Sequence, residues 1–306
     1  DVKASRGLGD VYKRQVVYTA PASGRVSAIN RGARRVFQSL VIEIYDDVEA
    51  RNWGASSATD AAQLSADDIK HRLIESGEWT AIRVRPFNKV ADPATSPSGL
   101  FIAAIDTRPH AVSPEIVIAE QREAFELGQA LLANMVDCTV YVCVAPRSSA
   151  PVAAHAQVQS AAFSGPHPAG LAGTHVHFLQ GASLNKLAWT VDFQDVIAIG
   201  RLFLDGEVYS DRVVAVSGPA AETPQIVRTC RGVDIEALVA GNQATGENRL
   251  ISGSVLGGRR VQAHSAYLGR FHNQVSVLAE GRDRVFMGWL AAVSYTHLTL
   301  PTTLYV

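Results

Sequence analysis

The stretch FIAAIDTRPHAVSPEIVIAEQREAFELGQALLANMVDCTVYVCVAP, residues 101–146, decides the fold class of this 306-residue chain. Residues 101–106 are apolar nearly throughout, as in a buried parallel strand. The Ser-Pro-Glu triplet at Ser113 then begins a long helix, and residues 139–146 repeat the apolar strand pattern. Strand, helix and strand within this length predict a βαβ unit in a Rossmann-like parallel sheet. No G-x-G-x-x-G follows the first strand, so the stretch does not predict a bound nucleotide.

The residues before this stretch predict short strands, one helix and a loop. Residues 16–44 alternate apolar with small or polar residues between Pro and Gly, which is typical of strands joined by tight turns. Their pattern P-x-S-G-x-V-x-x-I-x-x-G resembles the second half of a biotinyl- or lipoyl-type barrel, but the lysine of a cofactor carrier is missing. Ser65 caps a helix that ends near Gly77, and residues 79–99 predict a loop.

The residues after the stretch predict a second, smaller α+β region. Residues 192–206 predict a helix that Gly206 ends, and residues 212–218 predict a strand. From there to Glu280, strand patterns surround one short helical segment, DIEALVAG. This arrangement indicates a small domain of the β-grasp type.

The expected fold is therefore α/β multidomain, with a partial barrel-sandwich segment, a Rossmann-like domain and a β-grasp domain of SLBB type. The expected segments are a tail at 1–15, a partial biotinyl- or lipoyl-like β segment at 16–48, a linker with a helix and a loop at 49–98, the Rossmann-like domain at 99–211, the β-grasp-like domain at 212–290 and a second tail at 291–306.

The two tails share an unusual property at the level of codons. The peptide DVYKRQ, residues 10–15, is encoded by GATGTGTATAAGAGACAG, and the complementary strand of that DNA encodes VSYTH, which occurs at 293–297. This DNA looks like the transposon end used in sequencing libraries. We therefore expect residues 1–15 and 291–306 to be translated adapter DNA, and the natural protein to continue beyond both ends.

Composition excludes several classes of function. A net charge of −1 gives no general attraction to nucleic acid or to an anionic membrane surface. The three cysteines, Cys138, Cys143 and Cys230, match no zinc or disulfide spacing and are expected to be packing residues in a reducing compartment. No apolar run is long enough for a membrane-spanning helix, so we expect a soluble or peripheral protein.

The segment GPHPAGLAGTHVHF, residues 165–178, is the main candidate for a site. On a strand, His175 and His177 would leave the same face, and His167 would supply a third ligand to zinc or iron. No carboxylate lies within the segment, and histidines bonded to the backbone explain the pattern equally well. Its glycines suit a phosphate-binding loop or a tight surface bend. Upstream, Arg83 and Arg85 are placed to clamp an anion, although a solvated loop is the favoured interpretation.

Seven motifs, taken together and in order, carry a resemblance to a known family. They are ESGEWTAIRVRPFNKV, FIAAIDTRPHA, FSGPHPAGLAGTHVHF, FQDVIAIGRLF, RVVAVSGP, ENRLISGSVLGG and YLGRFHNQVSVLAEGR. From Val16 to about Leu290 the chain resembles the A subunit of the sodium-translocating NADH:quinone reductases. That family is distantly similar to the flavin and iron–sulfur subunits of respiratory complex I and of the Rnf complex.

The resemblance implies a peripheral subunit on the cytoplasmic face of the bacterial inner membrane, in an enzyme that transfers electrons from NADH to ubiquinone and exports Na+. It implies no catalytic residue, metal or redox cofactor in this chain; the complex uses NADH, flavins, iron–sulfur and ubiquinone. Where the flavin-binding relatives have a glycine-rich phosphate loop, residues 77–89 contain no glycine after Gly77. The implied partners are the other subunits, chiefly a membrane subunit, with ubiquinone as a further candidate and no nucleic acid.

The residues expected to contact quinone or a partner come from residues 77–89 and from the histidine segment. They are Trp79, Arg83, Arg85, Phe87, Gly165, His167, Gly170, Gly173, His175 and His177. Two alternatives remain at this point. One is a metalloenzyme that uses His167, His175 and His177, and the other is a soluble flavin-dependent electron carrier.

Overall fold

The computed structural model describes residues 16–45 and 50–282. Both expected adapter tails, residues 1–15 and 291–306, lie outside these ranges, as do the final residues of the expected 16–48 and 212–290 segments.

The described residues form helices and strands in mixed order. The helices are α1 (Ala58–Ala61), α2 (Ala66–Ser76), α3 (Pro114–Glu120), α4 (Arg122–Met135), α5 (Ala172–Leu179), α6 (Phe193–Asp205) and α7 (Ile235–Leu238). The strands are β1 (Gly24–Arg31), β2 (Phe37–Ile44), β3 (Arg83–Arg85), β4 (Lys89–Val90), β5 (Gly99–Ala104), β6 (Val140–Val144), β7 (Val158–Ala162), β8 (Ala188–Asp192), β9 (Asp211–Ser217), β10 (Gln225–Cys230), β11 (Asn248–Ser252), β12 (Arg259–Arg260) and β13 (Gln274–Ala279).

Strands β1 and β2 pair as an antiparallel hairpin, which confirms the short strands expected in this region. Several of the hairpin's apolar side chains, including Ile29, Phe37 and Ile44, are exposed. The hairpin therefore buries little apolar surface of its own, as expected for part of a barrel-sandwich fold.

A six-stranded sheet, in the order β4-β3-β8-β5-β6-β7, forms the centre of the chain. Strand β5 pairs in parallel with β6 on one side and with β8 on the other, and β6 pairs in parallel with β7. The predicted βαβ unit and Rossmann-like sheet are confirmed. The predicted long helix is interrupted at Gln121, whose φ of −125° and ψ of 37° are not helical, so it forms α3 and α4.

The loop expected at residues 79–99 is wrong. Residues Glu78–Ala81 form a buried 3-10 turn, and β3 and β4 extend the sheet through antiparallel pairing. Strand β3 alternates Arg83, Val84 and Arg85, so the valine faces the core and the arginines face the opposite side. The arginines and prolines suggested a loop, whereas the alternation with period two is the signal of a half-buried strand.

One face of the sheet carries the main core and the other carries a smaller one. The larger cluster includes Trp79, Phe125 and Phe203, from the α2, α4 and α6 side. On the opposite face, α5 packs through Val176 against Phe101. Helix α6 begins at the capping side chain of Asp192 and ends at Gly206, whose φ of 75° is left-handed, as predicted.

Helices α4 and α6 approach each other closely because each carries a glycine at the crossing. A Cβ on Gly200 would lie 1.9 Å from the backbone oxygen of Ala124, and one on Gly128 would lie 2.2 Å from that of Val196. The backbone atoms cannot yield as a flexible side chain can, so both positions require glycine.

This close crossing leads to a prediction with an internal control. We expect Gly200→Ala to lower the free energy of unfolding by about 1–3 kcal/mol, because the methyl group forces the two helices apart. Gly173→Ala in α5, where no atom lies within 4 Å of an added Cβ, is expected to stabilise the chain by up to about 1 kcal/mol through helix propensity. Urea denaturation of both variants checks this, and a Gly200→Ala chain as stable as the parent would contradict it.

A five-stranded sheet, in the order β10-β9-β13-β11-β12, forms the remainder of the chain with α7. Strands β9 and β13 are parallel, while the other pairs are antiparallel. Its core includes Val214, Ile235 and Val275. This mixed sheet with one short helix confirms the predicted β-grasp domain. None of the helices in residues 16–45 and 50–282 has the length and hydropathy needed to cross a bilayer.

Candidate functional site

The carboxyl ends of the parallel strands meet at one edge of the six-stranded sheet. The chain runs from β5 to β6 and β7 and then returns to β8 on the other side of β5, so the winding direction changes between β5 and β8. In open α/β sheets, ligands bind outside the carboxyl ends of the strands at this switch point. Here the edge is formed by residues 106–108 after β5 and by Asp192 at the end of β8.

The histidine segment is fixed to this edge through Thr107. The backbone N–H of Gly170 donates to Thr107 Oγ1 at 2.8 Å, and the same hydroxyl lies 3.4 Å from His167 Nδ1. A Cβ on Gly170 would lie 2.6 Å from the backbone nitrogen of Thr107, which explains the glycine. Gly165 has a left-handed φ of 122° in the preceding turn. The segment therefore begins as a tight loop held against the end of β5.

The strand expected at His175 and His177 is wrong, because both residues lie in α5. Residues two apart on a helix point to nearly opposite sides. Accordingly, His175 is fully buried and His177 is exposed. The ring of His175 donates from Nε2 to the backbone oxygen of Ala169 at 2.9 Å and packs 4.4 Å from the ring of Phe163. Hence His175 has a structural place beneath α5.

The three histidines do not form a metal site. His167 contacts Thr107, His175 is buried under α5 and His177 faces outward. Within residues 16–45 and 50–282, no group of three or more His, Cys, Asp or Glu side chains is arranged to hold a metal ion. The metalloenzyme alternative required these three side chains to converge, and the geometry contradicts it.

Burial of His175 gives a predicted pH dependence. Burial lowers the pKa of this imidazole to about 4, although its bond to Ala169 acts in the opposite direction. The unfolded chain therefore binds more protons between pH 6.5 and 4, so the stability that neutral His175 supports is lost as the pH falls through that window. We expect the unfolding free energy of the parent, relative to His175→Gln, to fall by about 1.4 kcal/mol per pH unit there.

Urea denaturation at several pH values measures this difference, and His177→Gln is the exposed control in the same helix. The effects of other titrating groups cancel between parent and variant. Parallel pH profiles for the parent and His175→Gln would contradict the prediction.

The residues expected from 77–89 separate into three environments. Trp79 is fully buried, its Nε1 donates to the backbone oxygen of Ala91 at 2.8 Å, and its ring meets Trp189 edge-on at 5.5 Å. Trp79 therefore offers no surface to a quinone, contrary to expectation. Arg83 and Arg85 lie on the α5 side of β3, whereas Phe87 lies beyond Arg85, toward the amino-terminal end of β8, and is 48% exposed.

A buried charge network that sequence reasoning missed lies where the two larger sheets meet. Asp195 forms ion pairs with Arg212 and with Arg270, the latter at 2.7 Å. Glu78 accepts two hydrogen bonds from Arg231, one of them at 3.0 Å, and lies 3.8 Å from Arg270. Both carboxylates are only 1% exposed. A charged residue within an apolar helix pattern, as in DFQDVIAIG, was the available signal for Asp195.

The five-stranded domain also contacts the switch point itself. Asn273 donates to Asp192 Oδ2 at 2.9 Å, and Gln274 donates to the backbone oxygen of Pro109 at 3.0 Å. Burial and the neighbouring Asp195 raise the pKa of Asp192 to about 6, while Arg212 opposes the shift. The chain's own second domain thus occupies part of the crevice in which other open α/β sheets bind ligands.

The architecture defines a class of protein that combines barrel-sandwich, Rossmann-like and β-grasp parts. A chain in the crystal structure titled "NAD+-reducing [NiFe]-hydrogenase in the H2-reduced state" has a similar fold, with a TM-score of 0.53 and 13% identity over 74% of this chain and 49% of that one. At this identity the likeness concerns the fold alone.

Three family models match in order: the NqrA N-terminal barrel-sandwich hybrid domain at residues 7–45, the NqrA second alpha/beta domain at 64–208 and the NQRA C-terminal domain at 213–263. The chain belongs to the NqrA family, which is the A subunit of the Na(+)-translocating NADH-quinone reductase. The resemblance inferred from the sequence motifs is confirmed.

Curated relatives with that name agree closely with the chain. The protein of Saccharophagus degradans is 49% identical over 286 residues, which are 94% of this chain and 64% of the relative. That of Pseudomonas aeruginosa is 49% identical over 93% of this chain and 63% of the relative. That of Yersinia pestis is 48% identical over 90% and 61%, respectively. The chain thus spans less than two thirds of the length of these relatives.

Proposed function

We propose that this chain acts as the peripheral A subunit of a Na+-translocating NADH:quinone reductase on the cytoplasmic face of a bacterial inner membrane. In this role it supports electron transfer from NADH to ubiquinone coupled to Na+ export. The single observation that carries the proposal is the 49% identity over 94% of the chain to a relative named for this role. The ordered match of three domain models supports it further.

The proposal includes that the chain contributes no redox cofactor of its own. After Gly77, residues 77–89 contain no glycine, and their first part is a buried 3-10 turn followed by the paired strand β3. A phosphate-binding loop needs backbone that a phosphate can approach closely. The contacts of Asn273 and Gln274 across the switch point also reduce the room for a flavin.

The exposed and partly buried members of the candidate set are proposed to contact partner subunits or ubiquinone. They are Arg83, Arg85, Phe87, Gly165, His167, Gly173 and His177. Trp79, Gly170 and His175 are buried and are assigned a supporting role beneath that surface. Phe178, 73% exposed beside His177, extends the same surface with an aromatic ring.

Assembly of a chimeric complex tests the proposal. Residues 16–282 replace the matching segment of the Pseudomonas aeruginosa A subunit, and the complex is purified through a tag on another of its subunits. We expect the chimera to co-purify in the same ratio as the parent protein, and denaturing mass spectrometry to give its bare polypeptide mass. A folded chimera that does not co-purify would contradict the proposed role. A covalent or tightly bound flavin on the chimera in native spectra would contradict the cofactor assignment and favour the electron-carrier alternative.

A further inference from the structure

Two arginines on one face of β3 lack a compensating charge. Arg83 and Arg85 both lie on the face opposite Val84, which places them beside α5 and away from the main core. No carboxylate among the described residues forms an ion pair with either of them, and each is partly buried. Burial lowers the pKa of both guanidinium groups, and Arg85 lowers that of Arg83 further. Two adjacent cations in this setting favour an anion between or beside them.

The guanidinium of Arg83 is held in a fixed orientation. Its Nη2 donates to the backbone oxygen of Asn88 at 2.9 Å, and its central carbon lies 4.3 Å from the ring centre of Phe271. Phe271 belongs to the segment that connects to β13 in the five-stranded domain, so this domain fixes an arginine of the six-stranded sheet. Such an orientation keeps the other guanidinium nitrogens available for a ligand at little entropic cost.

Arg85 has a buried donor without an acceptor. Its Nε is shielded from solvent and has no hydrogen-bond partner within the described part of the chain. Buried polar groups in native proteins are nearly always hydrogen-bonded, so an unpaired guanidinium nitrogen needs an explanation. An oxygen of a bound anion would satisfy it, together with the positive charge.

Further cations surround the same cleft. The pKa of His272, next to Phe271, is lowered to about 4 by burial and by the charges of Arg259, Arg108 and Arg83. Arg108 is paired with Asp106, and Asp192 is bonded to Asn273, so the neighbouring carboxylates already have partners. The positive potential of three arginines therefore reaches one position between the sheet edge and the five-stranded domain.

We propose that this cleft, between β3 and residues 269–273, binds the phosphate group of a ligand through Arg83 and Arg85. Guanidinium groups are suited to phosphate because their planar fork donates two parallel hydrogen bonds to oxygen atoms of one anion. A phosphate also accepts bonds from more donors than a carboxylate, which matches several cations around one position. The phosphate belongs either to a soluble ester or to a phospholipid headgroup, and the inference does not depend on the proposed respiratory function.

Binding of inorganic phosphate to the 306-residue chain, measured by isothermal titration calorimetry at low ionic strength, tests the site. We expect Arg83→Gln and Arg85→Gln each to weaken binding at least tenfold. Arg122→Gln is the matched control, because Arg122 is exposed on α4 and pairs with Glu126; we expect it to change binding less than twofold. Arg85→Lys, which keeps the charge, is expected to bind more tightly than Arg85→Gln, and circular dichroism verifies that each variant is folded.

Vesicles distinguish the two sources of phosphate. Co-sedimentation with vesicles of phosphatidylcholine and phosphatidic acid, lost in the Arg83→Gln, Arg85→Gln double variant, would assign the phosphate to a lipid. Binding of phosphate and phenyl phosphate without co-sedimentation would assign it to a soluble ester. The proposal is overturned if the folded parent does not bind phosphate at millimolar concentration, or if Arg122→Gln weakens binding as much as the β3 variants.

Discussion

Replacing Asp195 by alanine is expected to lower the free energy of unfolding by about 3–5 kcal/mol, because it removes one partner of a buried ion pair. Asp195 is almost fully buried and pairs with Arg212 and Arg270. Arg212 is itself only 3% exposed, so the variant would leave a buried guanidinium without its carboxylate. The remaining carboxylate of the network, Glu78, is already bonded to Arg231.

Urea denaturation followed by circular dichroism measures this loss, and Glu126→Ala is the control. Glu126 pairs with Arg122 on the exposed surface of α4, so its removal should cost no more than about 0.5 kcal/mol. If Asp195→Ala unfolds at the same urea concentration as Glu126→Ala, the network does not hold the two domains together.

Replacing Trp79 by alanine is expected to cost about 3–5 kcal/mol, because the indole is fully buried in the main core. The substitution also removes the hydrogen bond to Ala91 and the edge-on contact with Trp189. The effect should therefore be seen in unfolding measurements with no quinone present. Phe178→Ala is the matched aromatic control, and at 73% exposure it should change stability by less than about 0.5 kcal/mol.

This pair of variants separates a structural role from ligand contact. A Trp79→Ala chain that keeps its stability but binds quinone more weakly would restore Trp79 to the contact surface. Loss of stability in Trp79→Ala, with an unchanged Phe178→Ala, would confirm that residues 77–89 position the surface from beneath.

Elements whose signals are local could be predicted from the sequence. The βαβ unit followed from the apolar runs in β5 and β6, and the end of α6 followed from Gly206, which takes the left-handed conformation. Strand β3 was mistaken for a loop because three residues are too few to establish an alternating pattern. Helix α5 was mistaken for a strand because its glycines and β-branched residues weaken the helical pattern, and only packing against Phe101 selects the helix.

The site was less accessible to sequence reasoning because it depends on long-range contacts. Glu78 and Arg231 are 153 residues apart, yet they form two hydrogen bonds. Arg83 was recognised as a candidate anion ligand, but its stacking partner Phe271 lies in another domain. No local pattern reports such pairs. The three histidines show the converse, since their closeness in sequence suggested a metal site that the helix disperses.

The decisive measurement for the proposed function is Na+-stimulated NADH:quinone reductase activity in membranes of a strain that lacks its own A subunit. The strain expresses the chimera in which residues 16–282 replace the matching segment of the Pseudomonas aeruginosa protein. The proposed function predicts that the chimera restores Na+-stimulated activity, while the deletion strain alone shows none. A chimera that assembles with the other subunits in the parent ratio, yet restores no Na+-stimulated activity, would contradict it.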